Sequence, residues 1–127
     1  MSAAEASPND DPHLRKFQKE LSAGTVSLAL LAVVEAAGEP MYGYQIAKTL
    51  ERFGEGVLSG KQSALYPVLR NLGAAGLLDS HVEPSVAGPP RRYYSITDTG
   101  RAALRRWTEA WEATRNSVDA VLKGDTP

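Results

Sequence analysis

The sequence predicts a mostly α-helical winged helix-turn-helix: a three-helix core, a two-stranded β wing and one C-terminal dimerisation helix. Three observations predict it. Apolar residues recur at three- and four-residue intervals through three successive segments ahead of Gly76. Two strand-like runs then flank a connection rich in Gly and Pro, residues 84–90. A last amphipathic segment opens at Thr97 and carries both tryptophans. Helical and strand periods differ, 3.6 against 2, so the order of elements is legible from the apolar pattern alone.

Residues 1–11 are small, polar and acidic, and read as a disordered tail. The first helix is expected from about His13 to Ala37, with Leu14, Phe17, Leu21, Leu28, Leu31 and Val34 on its apolar side. Gly24 interrupts it at a cost of about 1 kcal/mol, and marks a bend or a close approach by a partner helix. Gly38-Glu39-Pro40 stops it. Tyr42 to Phe53 is expected as the second helix, on Ile46, Ala47, Leu50 and Phe53. The third carries the stripe Leu65, Val68, Leu69 and Leu72 and closes at Gly76. Pro67 within it removes a hydrogen bond and costs about 3 kcal/mol, which on physics alone favours a start near Tyr66.

Leu77–Glu83 and Arg91–Thr97 are expected as the antiparallel strands of the wing. In the second, Tyr94 and Ile96 share one face while Tyr93 and Ser95 share the other. Thr97, Asp98 and Thr99 supply N-cap candidates for a helix running to about Leu122. Its apolar positions Leu104, Trp107, Trp111, Thr114, Val118 and Val121 follow a 3-4-3-4-3 spacing, a heptad-like seam with one polar member. A chain of this size has little left to cover such a seam, so a second copy is the expected cover.

At 127 residues the chain is expected to be one domain, burying roughly two-thirds of its unfolded surface. The longest apolar stretch, Val26 to Val34, is shorter than the ~20 residues a bilayer requires, so no membrane span is expected. The N-terminal segment has no basic and apolar regions of a signal peptide. Zero cysteines exclude disulfides and zinc–thiolate sites and fit a reducing cytoplasm. With two histidines, no HExxH motif, no GxGxxG and no P-loop spacing, nothing supports catalysis, a metal or a cofactor. Net charge is −1, yet residues 91–106 hold five arginines against the single acid Asp98. Such a local basic patch suits phosphate contact, or is a solvated face.

MYGYQIAKTL (41–50), LSGKQSALYPVLRNLGAAGLL (58–78) and GPPRRYYSITDTGRAAL (88–104) together resemble the PadR family of bacterial transcriptional regulators, in its compact subgroup with a single C-terminal helix. The resemblance covers about residues 20–122. It implies a homodimeric winged-helix repressor responding to small molecules, and a longer third helix that runs through Pro67 with a kink. The tip Gly88-Pro89-Pro90 departs from the family's usual Gly-Arg-Pro and lacks one basic position. On this reading residues 12–100 form the DNA-binding domain, and 101–127 form the C-terminal dimerisation helix with a short tail.

The third helix is then the recognition helix, with Lys61, Gln62, Ser63 and Tyr66 entering the major groove of double-stranded DNA. Gln62 can pair with adenine, Lys61 with guanine or phosphate, and Ser63 with either. Arg70, one turn beyond, suits a phosphate. Alternatively this is a solvated face with Tyr66 packed. Tyr42 and Tyr44 open the second helix, and the resemblance implies that one of them bonds a backbone phosphate. Core packing fits them equally. Arg91 and Arg92 at the wing base reach the minor groove or clamp phosphate, or else form surface ion pairs. Tyr93 contacts phosphate while Tyr94 packs inward. His81 reads as a surface residue.

Trp107 and Trp111 lie four apart on one helix face, and meet their counterparts across a two-fold axis. The resemblance places Trp111 where drug-binding relatives stack a planar aromatic ligand, with Phe17, Leu21 and Leu28 of the first helix as the opposite wall. Plain packing in the dimer is the alternative. The function expected is a dimeric repressor on a pseudo-palindromic operator. Its rivals are a winged helix of MarR or ArsR type, a protein-interaction module that has lost DNA contact, and a drug-sequestering protein.

Overall fold

The computed structural model describes residues 11–54 and 62–125. Its elements are α1 (Pro12–Ala37), β1 (Met41–Tyr42), α2 (Gly43–Glu51), α3 (Gln62–Ala74), β2 (Leu78–Glu83), β3 (Arg91–Ile96) and α4 (Asp98–Leu122). The strands form one antiparallel sheet in the order β1-β3-β2. The mostly helical winged-helix class is therefore as the sequence predicts, with one short strand added.

α1 opens at Asp11, whose Oδ1 accepts from the amides of His13 at 2.9 Å and Leu14 at 3.3 Å. Pro12 sits in the first turn, where a missing N–H costs nothing. The helix runs unbroken through Gly24, and among the described residues nothing outside the neighbouring helix backbone comes within 4 Å of where a Cβ would stand there. It ends at Gly38, whose φ of 69° lets its amide turn back to the Glu35 carbonyl. By length and composition α1 is long and apolar enough to cross a bilayer. Counting only the Val26–Val34 stretch missed that. In this fold α1 contributes buried Leu30, Leu31 and Val34 to the core.

The added strand is Met41–Tyr42, which pairs with Tyr94 and Tyr93 of β3. The sequence assigns Tyr42 to the second helix, but its backbone is extended at φ −93° and ψ 162°. A two-residue strand is too short to reveal a period. Gln45 Oε1 accepts from the Tyr42 amide at 3.1 Å and tethers the strand to the first turn of α2. α2 ends at Glu51, two residues before the expected Phe53.

α3 continues past Pro67. The later start near Tyr66 is thus corrected, and the longer helix implied by the resemblance is the one observed. Magnitudes explain it. Pro67 costs roughly 3 kcal/mol, whereas burying Leu65, Leu69 and Leu72 contributes about 1.5–3 kcal/mol each. Gly76, at φ 79°, closes the helix and sends the chain into β2. There the Leu77 amide donates to the Leu72 carbonyl at 3.0 Å.

Leu78, Tyr94 and Ile96 face the helices and complete a core built on Leu30, Leu31, Ile46, Leu50 and Leu69. β3 ends at Ile96, because Thr97 is the N-cap of α4. The Thr97 hydroxyl accepts from the Gly100 amide at 2.9 Å and donates to the Gly76 carbonyl at 2.7 Å. Gly100 is buried, and a Cβ there would strike the Leu77 carbonyl oxygen. One turn therefore joins the end of α3, the sheet and α4. Arg101 adds ion pairs to Glu35 of α1 at 3.1 Å and to Asp98 at 2.8 Å.

Because the Gly100 site has no room, Gly100→Ala should lower the unfolding free energy by about 1–3 kcal/mol. Loss of the cap in Thr97→Ala should cost about 1 kcal/mol. Urea unfolding followed by circular dichroism reads both, and an unchanged midpoint for Gly100→Ala would contradict the close approach.

Candidate nucleic-acid interface

The alternation of side chains across the sheet builds this surface. With Tyr94 and Ile96 turned inward, Arg91 and Tyr93 of β3 must face outward. Tyr93 lies directly opposite Tyr42 on one side and His81 on the other. The three rings form a row. Tyr42 meets Tyr93 edge-on at 5.5 Å between centroids, and Tyr93 stacks on His81 at 5.7 Å with 13° between planes. The row continues onto α2, where Tyr44 stacks on Tyr42 at 6.4 Å.

Two cations sit on this row. The Arg91 guanidinium lies 4.5 Å from the centre of the Tyr42 ring. Lys48 Nζ lies 5.4 Å from that of Tyr44. Each such contact is worth about 0.5–1 kcal/mol at an exposed site and orients the cation; Lys48 Nζ is also ion-paired with Glu51 Oε2 at 3.4 Å. The Glu51 carboxylate, followed by the Tyr44 phenol, holds the Lys48 ammonium above the usual lysine range, so it remains charged. The first turn of α2 adds the positive end of its dipole beside Tyr42 and Tyr44.

A second group gathers on the inner side of the sheet, toward α3. Burial raises the Tyr94 phenol above its ordinary range, while Arg92 and Arg70 pull it down and Tyr66 pushes it up. Those three side chains therefore act on the Tyr94 hydroxyl. Arg92 Nη1 also donates to Ser80 Oγ at 3.0 Å. The Tyr66 ring lies against Gly43, where any Cβ would collide with it. That close approach sets the start of α2 against the first half of α3.

The residues expected from sequence thus fall into two sets. Tyr42, Tyr44, Arg91 and Tyr93 come together on the outer face. Tyr66, Arg70 and Arg92 come together on the side of α3. Arg91 and Arg92, adjacent in sequence, point to opposite faces. Lys61 lies outside the described residues, and Gln62 and Ser63 are described only as backbone at the opening of α3. Of the aromatic-ligand set, Trp107 packs against the core of its own chain, as does Leu104 one turn before it on α4. Trp111 is 37% exposed, and Phe17 and Leu21 are more than half exposed. Leu28 is half-buried.

Sequence reasoning missed Lys48 and did not connect His81 to the row. Lys48 stands four residues after Tyr44 on one helix face, a legible signal. His81 becomes visible only when residues are counted across the hairpin to Tyr93. Among the described residues no group of three His, Cys, Asp or Glu side chains gathers to hold a metal ion.

The model of the Transcriptional regulator PadR-like family matches residues 30–106. The chain is 34% identical over 113 residues to the Transcriptional regulator Rv3488 of Mycobacterium tuberculosis, spanning 89% of this chain and 94% of that protein. It is similar to the crystal structure of a PadR family transcriptional regulator from Eggerthella lenta, with a TM-score of 0.71 and 30% identity, covering 91% of this chain and 97% of that one. It also shares its fold with Bacillus subtilis PadR crystallised with operator DNA. That match has a TM-score of 0.57 and 24% identity, over 66% of this chain and 46% of that one.

The edge-on contact between Tyr42 and Tyr93 predicts a coupling of about 0.5–1.5 kcal/mol in a double-mutant cycle of Tyr42→Ala and Tyr93→Ala on stability. A coupling near zero would break the row at its centre.

Proposed function

The chain belongs to the PadR-like family of transcriptional regulators, which are not enzymes, and from that premise we propose that it binds duplex DNA as a homodimer and acts as a repressor. The observation that carries this reading is the outer row, in which Lys48, Tyr44, Tyr42 and Arg91 present two cations, phenol hydroxyls and a helix N-terminus on one surface. Phosphate contacts of this kind position a protein on DNA without reading its sequence. Base reading falls to Gln62 and Ser63 at the opening of α3 and to Lys61, the residue before it in sequence, with Tyr66 and Arg70 following along α3 and Arg92 on β3. A two-fold dimer presents two such surfaces, so the operator is pseudo-palindromic, with half-sites roughly one helical turn apart. A protein with this task works in the cytoplasm.

Two further observations support the dimer and its control. α4 keeps Trp111, Val118 and Val121 exposed on the seam beyond Trp107, and α1 keeps Phe17 and Leu21 exposed. A second copy laid on these helices covers them. Trp111, left half open where Trp107 is packed, is the residue that stacks a small planar aromatic ligand. Phe17, Leu21 and Leu28 supply the opposite wall. Such a ligand releases the repressor by favouring a dimer geometry whose two reading heads misfit the grooves.

Anisotropy of a labelled duplex from the DNA upstream of the chain's own coding sequence tests the DNA reading. Affinity should fall linearly with salt on a log–log plot, and Arg91→Ala should reduce the slope by about one. No retention at low salt would overturn the reading. Sedimentation should give a dimer, and a monomer would refute the seam. Planar aromatic dyes should quench tryptophan fluorescence in the native chain and not in Trp111→Ala. Equal quenching in both would leave Trp111 a packing residue.

A further inference from the structure

The outer face of β2 is the one part of the wing whose charge opposes DNA. Its outward residues are Asp79, His81 and Glu83, two carboxylates flanking an imidazole. His81 Nε2 donates to Glu83 Oε2 at 2.8 Å, and the two side chains are about half exposed, at 49% and 53%. Glu83 stands opposite Arg91 in the hairpin register, yet its carboxylate is paired with His81, while Arg91 lies over Tyr42. The His81 ring is also fixed in orientation by stacking on Tyr93.

This arrangement decides what the other ring nitrogen can do. A carboxylate only accepts, so the neutral imidazole carries its proton on Nε2 and turns a lone pair outward at Nδ1. That lone pair repels a phosphate oxygen. A proton taken from solvent makes Nδ1 a donor as well, and the Nε2 bond to Glu83 is kept. We infer that His81 is a further phosphate-binding residue of the DNA surface, engaged only in its protonated form, so that the wing grips DNA more tightly in acid. The inference rests on the DNA-binding reading above. The charged and titratable groups facing His81 are Glu83 and Asp79 on β2, Tyr93 and Arg91 on β3, and Tyr42 on β1, with Lys48 of α2 farther along the row.

The test is duplex binding by anisotropy between about pH 8 and about pH 5.5, the span over which imidazoles gain a proton. Native protein should bind roughly three- to tenfold more tightly at the acid end, with a salt slope steeper by about one. His81→Gln should bind at the weaker level throughout, and His81→Arg at the tighter level throughout. His13→Gln, which alters the other histidine of the chain, should keep the native profile. Glu83→Gln should bind more tightly than native protein near pH 8. A native-like profile in His81→Gln, or a flat one in His13→Gln, would overturn the inference while leaving DNA binding intact. No binding at any pH would instead overturn the DNA reading and this inference with it.

Discussion

Burial of Tyr94 and Ile96 determines the face of every other side chain on β3. Side chains alternate along a strand, so two inward residues force Arg91 and Tyr93 outward and Arg92 toward α3. β3 is the central strand, and its register passes this choice to both neighbours, placing Tyr42 and His81 in line with Tyr93. A slip of one residue would bury Tyr93 and Arg91 and dismantle the row. The wing surface is therefore a consequence of core packing.

Two glycines bring neighbouring elements so close that a Cβ would collide. Gly43 accepts the Tyr66 ring, which brings the tyrosines at the start of α2 beside the first half of α3. Gly100 accepts the Leu77 carbonyl, and the Thr97 hydroxyl bridges the same turn. α3, the aromatic row and α4 are thus held as one unit. Arg101, paired with Glu35 across α1 and α4, extends it toward the helices that carry Trp111.

Much of this was legible in the sequence, and the exceptions have physical causes. The helix stripes, the hairpin, the inward Tyr94 and the Thr97 cap follow from period and cap chemistry, which are local. β1 was not legible, because two residues carry no period. The course of α3 through Pro67 pitted a local penalty against three buried leucines, and burial is a tertiary quantity. Of the candidate surface, Tyr42, Tyr44, Arg91 and Tyr93 were named from the sequence, but their assembly into one row was not. Neither was the separation of Arg91 from Arg92. Both depend on cross-strand register. The spacing on α4 predicts one continuous seam with a single polar member, whereas the structure divides it. Leu104 and Trp107 serve the chain's own core, and Trp111 stands outside it.

The central claim is that duplex DNA lies on the row from Lys48 to Arg91. Two-dimensional NMR of isotope-labelled protein titrated with an operator duplex tests it most directly. The account predicts the largest amide shifts at Tyr42, Tyr44, Lys48, Arg91 and Tyr93 and in the first turns of α3, with the outer half of α4 little moved. Shifts confined to α1 and α4, with that row unchanged, would contradict it.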